Sequence, residues 1–323
     1  MPKGIRIHQT GGPEVLRWEE IEVGRPAPGE ARIRQTAVGL NFIDVYHRSG
    51  LYRLPLPAVI GSEAAGIVDE IGPGVTGLKP GDRVAYAGAV GAYAQARLIA
   101  ADRLVPLPER IDDATAAAAM LKGMTAQYLL RRTCRVEPGD TVLIHAAAGG
   151  VGLIACQWAR HLGATVIGTV STDEKAAIAR AYGCEHPIVT RREQFATRVK
   201  EITGGRGVRV VYDSVGKDTW DGSLDCLQPL GMMVSYGNSS GPVPPFSPLV
   251  LSAKGSLFLT RPTLMAYTAR REDLLATAAE LFDVIRLGIV RVEVSRSYPL
   301  AEAAEAHRDL EARRTTGSSV MVP

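Results

Sequence analysis

The chain has 323 residues, enough for about two domains, and is 46% hydrophobic and 22% charged. That balance excludes disorder, and 34 glycines without a triplet period exclude collagen. A net charge of +3 with basic residues scattered among acids, and only 6% aromatics, gives neither a basic stripe nor a base-stacking surface, which counts against nucleic acid as a partner.

Residues 1–100 read as short strands divided by turn chemistry. Thr36–Leu40 and Ala64–Ile71 are β-rich, with Pro28-Gly29, Gly72-Pro73-Gly74 and Pro80-Gly81-Asp82 between and after them. Closely spaced strands with few helices predict a barrel-like β domain. Ala114–Leu121 is an alanine-rich helix, capped by Asp112 or Asp113.

From Val136 the rhythm changes. Thr141–His145, Thr165–Val170, Val208–Tyr212 and Met232–Tyr236 read as strands. Val151–Leu162, Asp173–Tyr182, Gln194–Thr203 and a segment ending at Leu224–Leu227 read as helices. Such alternation builds parallel βαβ units, so a doubly wound sheet is expected over 125–265. The tail carries amphipathic helices at Arg271–Leu287 and Ala301–Arg313 and a last strand at Gly317–Val322, and is expected to return to the first domain. The fold class is therefore α/β, with one domain from 1–124 and 266–323 and the other from 125–265.

Thr141–Ala159 is apolar and about as long as a membrane span, but His145, Gly149, Gly150, Gly152 and Gln157 interrupt it; strand, turn and buried helix explain it better. Met1–Arg6 has no signal-peptide core. Cys134, Cys156, Cys184 and Cys226 lie far apart with no CxxC, which suggests neither a zinc knuckle nor a disulfide framework. The expectation is a cytoplasmic, non-membrane protein.

The strand Thr141–His145 runs through Ala146-Ala147-Ala148-Gly149-Gly150-Val151-Gly152 into a helix. This is the context of a dinucleotide turn. Gly149 lets backbone approach a pyrophosphate, Gly152 lets helix pack on strand, and the helix N-terminus faces the anion. Ala147 replaces the first glycine of the GxGxxG pattern. The next strand ends at Val170-Ser171-Thr172 rather than in an acid, and Lys175 follows, so a 2′-phosphate is favoured over a bare ribose. The alternative, with Ser171 as a helix cap and Lys175 a solvated lysine, stays open at this point.

Gly39-Leu40-Asn41-Phe42-Ile43-Asp44, Gly61-Ser62-Glu63-Ala64-Ala65-Gly66 and Pro80-Gly81-Asp82-Arg83-Val84 precede that turn. Tyr212-Asp213-Ser214-Val215-Gly216, Gly237-Asn238-Ser239-Ser240-Gly241 and Gly317-Ser318-Ser319 follow it. The series resembles the medium-chain dehydrogenase/reductase superfamily and, within it, the zinc-free quinone oxidoreductases related to ζ-crystallin, over essentially the whole chain. The resemblance implies a GroES-like β-barrel catalytic domain, a Rossmann domain, NADPH held in the cleft between them, and a homodimer paired through the Rossmann sheet edge. Positions matching the catalytic zinc ligands of relatives hold Asn41, Ser62 and Lys122, none of them a good zinc ligand, so no metal is expected.

The implied activity is reduction of a quinone by NADPH, with enone or alkenal reduction, or an NADPH-binding protein with a structural or RNA-binding role, as alternatives. Asn41, Tyr46 and Tyr52 are the candidates for holding the acceptor, with Asp44, Arg48 and Lys122 adding charge nearby; each tyrosine has the alternative of an ordinary core or surface aromatic. Asn41, Asp44 and Tyr46 are also cofactor contacts by resemblance. So are Thr125 and Tyr128 at the nicotinamide ribose or phosphates, Gly149, Gly150 and Val151 at the pyrophosphate, and Ser171 and Lys175 at the 2′-phosphate. Val215 borders the adenine, Asn238 with Phe258, Leu259 and Thr260 holds the nicotinamide end, and Arg313 in the last helix reaches the adenosine phosphate. Thr190 stands where relatives often carry a tyrosine near the 2′-phosphate, and Arg191 beside it is a substitute contact.

Overall fold

The structure, a computed structural model, describes residues 1–323. It forms two compact units: Met1–Met124 with Tyr267–Arg286 and Val292–Pro323, and Thr125–Ala266 with Leu287–Arg291.

The first unit opens with strands β1 (Lys3–Ile7), β2 (Arg17–Glu20) and β3 (Glu30–Gly39). Helix α1 (Phe42–Ser49) follows, then β4 (Ala58–Val59), β5 (Glu63–Ile71), β6 (Arg83–Ala87), β7 (Ala96–Ala100) and β8 (Val105–Pro106). Helix α2 (Asp113–Tyr128) starts at a cap formed by Asp112, whose Oδ1 accepts the Thr115 N–H at 2.7 Å. It runs beyond the expected end at Leu121, because the sequence there stays apolar and Ala116 through Met120, Met124 and Ala126 are all buried. Helix α1 was not expected in a region read as strands. Its eight residues begin at Asn41, the N-cap, whose N–H is accepted by Asp44 Oδ2 at 3.1 Å.

The second unit alternates strand and helix: β9 (Thr141–Ile144), α3 (Gly150–His161), β10 (Thr165–Val170), α4 (Asp173–Ala181), β11 (His186–Val189) and α5 (Phe195–Ile202). Then come β12 (Val208–Asp213), α6 (Trp220–Cys226), β13 (Leu227–Ser235), α7 (Leu249–Ala253), β14 (Phe258–Thr260) and α8 (Leu264–Tyr267). The six strands form one all-parallel sheet in the order β11-β10-β9-β12-β13-β14. Buried on both faces, they carry near-continuous apolar runs, and Leu143, Ile167, Val211 and Met233 sit in the core. Strand order reverses between β9 and β12, which opens a crevice at their carboxyl ends.

The tail supplies α9 (Arg271–Arg286), β15 (Val294–Pro299), α10 (Ala303–Glu311) and β16 (Ser318–Val322). Strand β16 pairs with β3, Val320 opposite Gly39 and Met321 opposite Val38, so the chain end completes the first unit's sheet β15-β16-β3-β5-β6-β8, with β7 on β3. Ile33, Val38, Tyr86, Tyr93, Leu104 and Met321 fill the core beneath it. Leu287–Arg291 goes with the second unit because Gln157 exchanges two hydrogen bonds with the Arg291 backbone and the Arg291 guanidinium lies 4.5 Å from the Tyr182 ring centre.

Candidate active site

The turn after β9 begins at Ala146 in the left-handed region, φ 53°. Its carbonyl accepts the Gly149 N–H at 2.9 Å, and the Ala147 N–H bonds the Thr169 carbonyl of β10 at 2.9 Å. Ala147 can replace a glycine because it keeps a negative φ and its methyl is buried against the sheet. Gly152 has no room for a side chain: a Cβ there would stand 2.3 Å from Ala146 O. At Gly149 a Cβ would meet only Ala146 O, at 3.2 Å, so one side of this residue is open. Helix α3 has no side-chain cap and no acid in its first turn, and its first helical bond runs from Leu153 N–H to Gly149 C=O. The N–H groups of Gly150, Val151 and Gly152 therefore point out of the helix end at an unobstructed face, where the dipole is positive. These features fit a pyrophosphate.

Around this turn the parallel sheet sets Ser171 and Lys175 after β10, Thr190 after β11, Val215 after β12, Asn238 after β13 and Thr260 at the end of β14. The cap of α4 is Thr172, whose hydroxyl accepts the Lys175 N–H at 3.3 Å, so Ser171 is not the cap. Thr190 spends both its N–H and its hydroxyl on the Val170 carbonyl, which binds the 190–192 segment to the Ser171 turn. There Arg192, not Arg191, pairs with an acid, Asp173. Phe258 departs from the expected set. It opens β14 opposite Met232, away from the carboxyl rim, and is 56% exposed on the edge strand. Thr125 and Tyr128 are buried along α2.

In the first unit, Asn41, Ser62 and Lys122 converge on two buried carboxylates. Glu63, fully enclosed, accepts from Asn41 Nδ2 at 2.8 Å, Lys122 Nζ at 3.1 Å and the Leu121 N–H at 2.6 Å. Gly39 makes room for it: a Cβ there would fall 2.2 Å from Glu63 Oε2. Asp44 accepts from Ser62 Oγ at 2.7 Å and from Asn41 N–H and Tyr93 OH, each at 3.1 Å. Its burial pushes the carboxyl up to about 7, against the lowering effect of the Ser62 and Tyr93 hydrogen bonds. So enclosed, Asp44 is not the direct cofactor contact expected of it; it holds Asn41 and Ser62 in place. No three His, Cys, Asp or Glu side chains converge as a cation site.

Tyr46 and Tyr52 meet edge to face, ring centres 5.2 Å apart, joined by the Tyr52 N–H to the Tyr46 carbonyl at 3.0 Å. Arg48 turns away from them. Its guanidinium forks onto Glu311 at 2.8 and 2.9 Å and donates to His307 Nδ1 at 3.1 Å, so it ties α1 to α10 rather than charging the site. Burial and the adjacent guanidinium drive His307 down to about 3, and its Nε2 meets Tyr93 OH at 3.0 Å. Arg313 lies beyond α10, not in it, exposed and with φ 58°.

Known proteins resemble this chain over its whole length. A family model described as an alcohol dehydrogenase GroES-like domain matches residues 27–109, and one described as a zinc-binding dehydrogenase matches residues 150–283. A quinone oxidoreductase of Pseudomonas aeruginosa is 54% identical, with all of both chains covered. The chain belongs to the quinone oxidoreductase family. A second quinone oxidoreductase, that of Escherichia coli solved in complex with NADPH, superimposes with a TM-score of 0.98 at 51% identity, over 99% of this chain and 100% of the other. A 2-haloacrylate reductase of a Burkholderia species is 51% identical over 98% of each. The fold is thus that of the medium-chain dehydrogenase/reductases, with a GroES-like and a Rossmann domain. Asn41, Ser62 and Lys122 present an amide, a hydroxyl and an ammonium paired with Glu63. No helix is long and apolar enough to cross a membrane.

Proposed function

We propose that this chain is an NADPH:quinone oxidoreductase that works without a metal. The observation that carries the reading is the open N-terminus of α3 at Gly149–Gly152, beside a β10 that ends at Val170 and Ser171 without an acid, with Lys175 following Asp173 and Glu174 in the first turn of α4. On this reading 125–265 is the NADPH-binding domain, and 1–124 with 266–323 binds the acceptor. Gly149, Gly150 and Val151 hold the pyrophosphate; Ser171, Lys175 and Thr190 hold the 2′-phosphate, with Arg192 screening Asp173 from it. Val215 borders the adenine, Asn238, Leu259 and Thr260 the nicotinamide, and Thr125 and Tyr128 the ribose side. Arg313, just past α10, contacts the adenosine phosphate.

NADPH supplies hydride when bound. The quinone takes that hydride and one proton from water and leaves as hydroquinone, whose oxygens are weakly basic and need no protein acid. Asn41, Tyr46 and Tyr52 orient the acceptor. Because the Lys122 ammonium is matched by Glu63 and Asp44 beside them is partly ionised near neutral pH, the site offers no uncompensated positive charge to a substrate, which favours a neutral quinone or enone over a carboxylated alkene.

We also infer a homodimer paired along β14, one of the two edges of the sheet, where Phe258 is 56% exposed, with Leu230 on β13 and Leu249 on α7 also exposed at 67 and 76%. Four free, buried cysteines suit the cytoplasm. The test is NADPH oxidation with 1,4-benzoquinone in the presence of a chelator, run beside NADH, an enone and 2-chloroacrylate. Chelator-resistant quinone turnover, with Lys175→Ala raising the NADPH KM about tenfold and sparing NADH, supports the proposal. Enone turnover alone, or NADPH binding with no turnover, overturns it.

A further inference from the structure

Beneath the carboxyl ends of β9, β10 and β12 lies a serine, a histidine and an aspartate in hydrogen-bond sequence. His145, Ser223 and Asp213 are all fully buried. His145 Nε2 lies 2.9 Å from Ser223 Oγ, which donates to Asp213 Oδ2 at 2.9 Å. This order is the reverse of a hydrolytic triad. The serine proton is spent on the carboxylate, so the imidazole cannot take it, and nothing reaches the hydroxyl.

The directions of the remaining bonds follow from counting protons. Ser223 has one hydrogen and gives it to Asp213, so its oxygen accepts from His145 and Nε2 carries the hydrogen. Burial lowers the imidazole's proton affinity, although Asp213 at 4.0 Å opposes this, and the ring is neutral. Nδ1 must then accept, and Thr169 Oγ1 donates to it at 2.8 Å. The Thr169 oxygen in turn receives the N–H of Ala146, at 3.4 Å. At the far end Asp213 Oδ2 also accepts from Thr219 Oγ1 at 2.7 Å, while Oδ1 accepts the N–H groups of Val215 at 2.7 Å and Gly216 at 3.0 Å. Every acceptor position of the carboxylate is filled. Phe195 closes the open edge of the imidazole, ring centres 5.0 Å apart.

The chain therefore runs without a gap from the amide of Ala146, the left-handed residue that opens the glycine turn, to the amides of Val215 and Gly216. It joins the two loops on either side of the point where strand order reverses. Both loops belong to the proposed dinucleotide site, so the inference rests on that reading. We propose that His145, Ser223 and Asp213, completed by Thr169, are positioning residues for the nicotinamide dinucleotide. They touch no ligand, but they fix the spacing between the pyrophosphate turn and the 213–216 loop, so that the site is formed before NADPH arrives.

The experiment measures NADPH binding to the full-length protein by titration calorimetry, together with KM, kcat and thermal midpoint, for Ser223→Ala, Thr169→Val and His145→Phe. His145→Gln, whose amide can replace the Nε2 donor, is the conservative control. The broken links are expected to raise the NADPH Kd and KM roughly tenfold each, with kcat at saturating NADPH within about twofold of wild type. His145→Gln should recover most of the affinity. Thr169→Val, the mildest change, keeps the test open if His145→Phe fails to fold. Midpoints that fall while Kd stays at the wild-type value overturn the brace, leaving it as ordinary core. A wild-type protein that does not bind NADPH overturns the proposed function instead, and the brace with it.

Discussion

Asp44 gives the sharpest test of the buried site. Its carboxyl sits at about 7 instead of the ordinary 3.8, so the folded protein holds a proton that the unfolded chain releases. Between about pH 4 and pH 7 the native state binds more protons than the unfolded one, and stability contributed by this group falls as pH rises. A displacement from 3.8 to about 7 corresponds to about 4 kcal/mol, lost across that window and constant above about pH 8. Asp44→Asn keeps the shape and the bonds. An amide oxygen in place of Oδ2 still accepts from Asn41 and Tyr93, and the amide N–H donates to Ser62 Oγ once that hydroxyl turns. The variant should match wild type near pH 4 and exceed it by up to about 4 kcal/mol near pH 8. His307, lowered to about 3, has the opposite effect, losing stability as pH falls below about 6.5. It is present in both proteins and cancels in the difference. Urea unfolding at a series of pH values supplies the measurement. Parallel curves for wild type and variant from pH 4 to pH 8 would refute the reasoning.

Three further changes probe other parts of the structure. Glu63→Gln strips the buried Lys122 ammonium of its carboxylate and should destabilise by about 3–5 kcal/mol, whereas Glu63→Gln with Lys122→Met should recover much of that in urea melts. Gly152→Ala drives a methyl into Ala146 O and should lower the thermal midpoint by several degrees, while Gly149→Val should leave the fold near wild type and abolish NADPH binding in calorimetry. Light scattering tests the inferred homodimer: wild type should run as a dimer and Phe258→Asp, which places a charge on the β14 edge, as a monomer, and a wild-type monomer or an unchanged variant mass would refute pairing there.

The second unit was legible because its information is local. Apolar runs, the glycines of the turn and the strand-to-helix alternation all lie within a few residues of the structure they specify, and Thr165–Val170 appears as read. The first unit was not, because its cluster is assembled from distant positions. Asp44, Ser62, Tyr93 and His307 meet through bonds spanning up to 214 residues, and no periodicity announces Tyr93 or His307. Glu63 lay in a recognised motif but had no role until Lys122 and Asn41 were seen on it. Helix α1 did leave a signal. Asn41 followed three positions later by an acid is a helix-start pattern, overlooked among the surrounding strands.

The two units handle buried carboxylates by different means, and the difference matches their proposed tasks. Asp213 fills all its acceptor positions with four donors, two of them loop amides, and so fixes backbone on which a charged ligand would rest. Glu63 and Asp44 receive the side chains of Asn41, Ser62 and Lys122, the three positions read from the sequence as lacking good metal ligands. Here a fixed ammonium answers one carboxylate, and the other, raised to about 7, is only partly ionised near neutral pH. A site with no uncompensated positive charge has little field with which to polarise an unactivated carbonyl. The acceptor must bring its own electrophilicity, and that requirement selects a quinone ahead of a simple ketone.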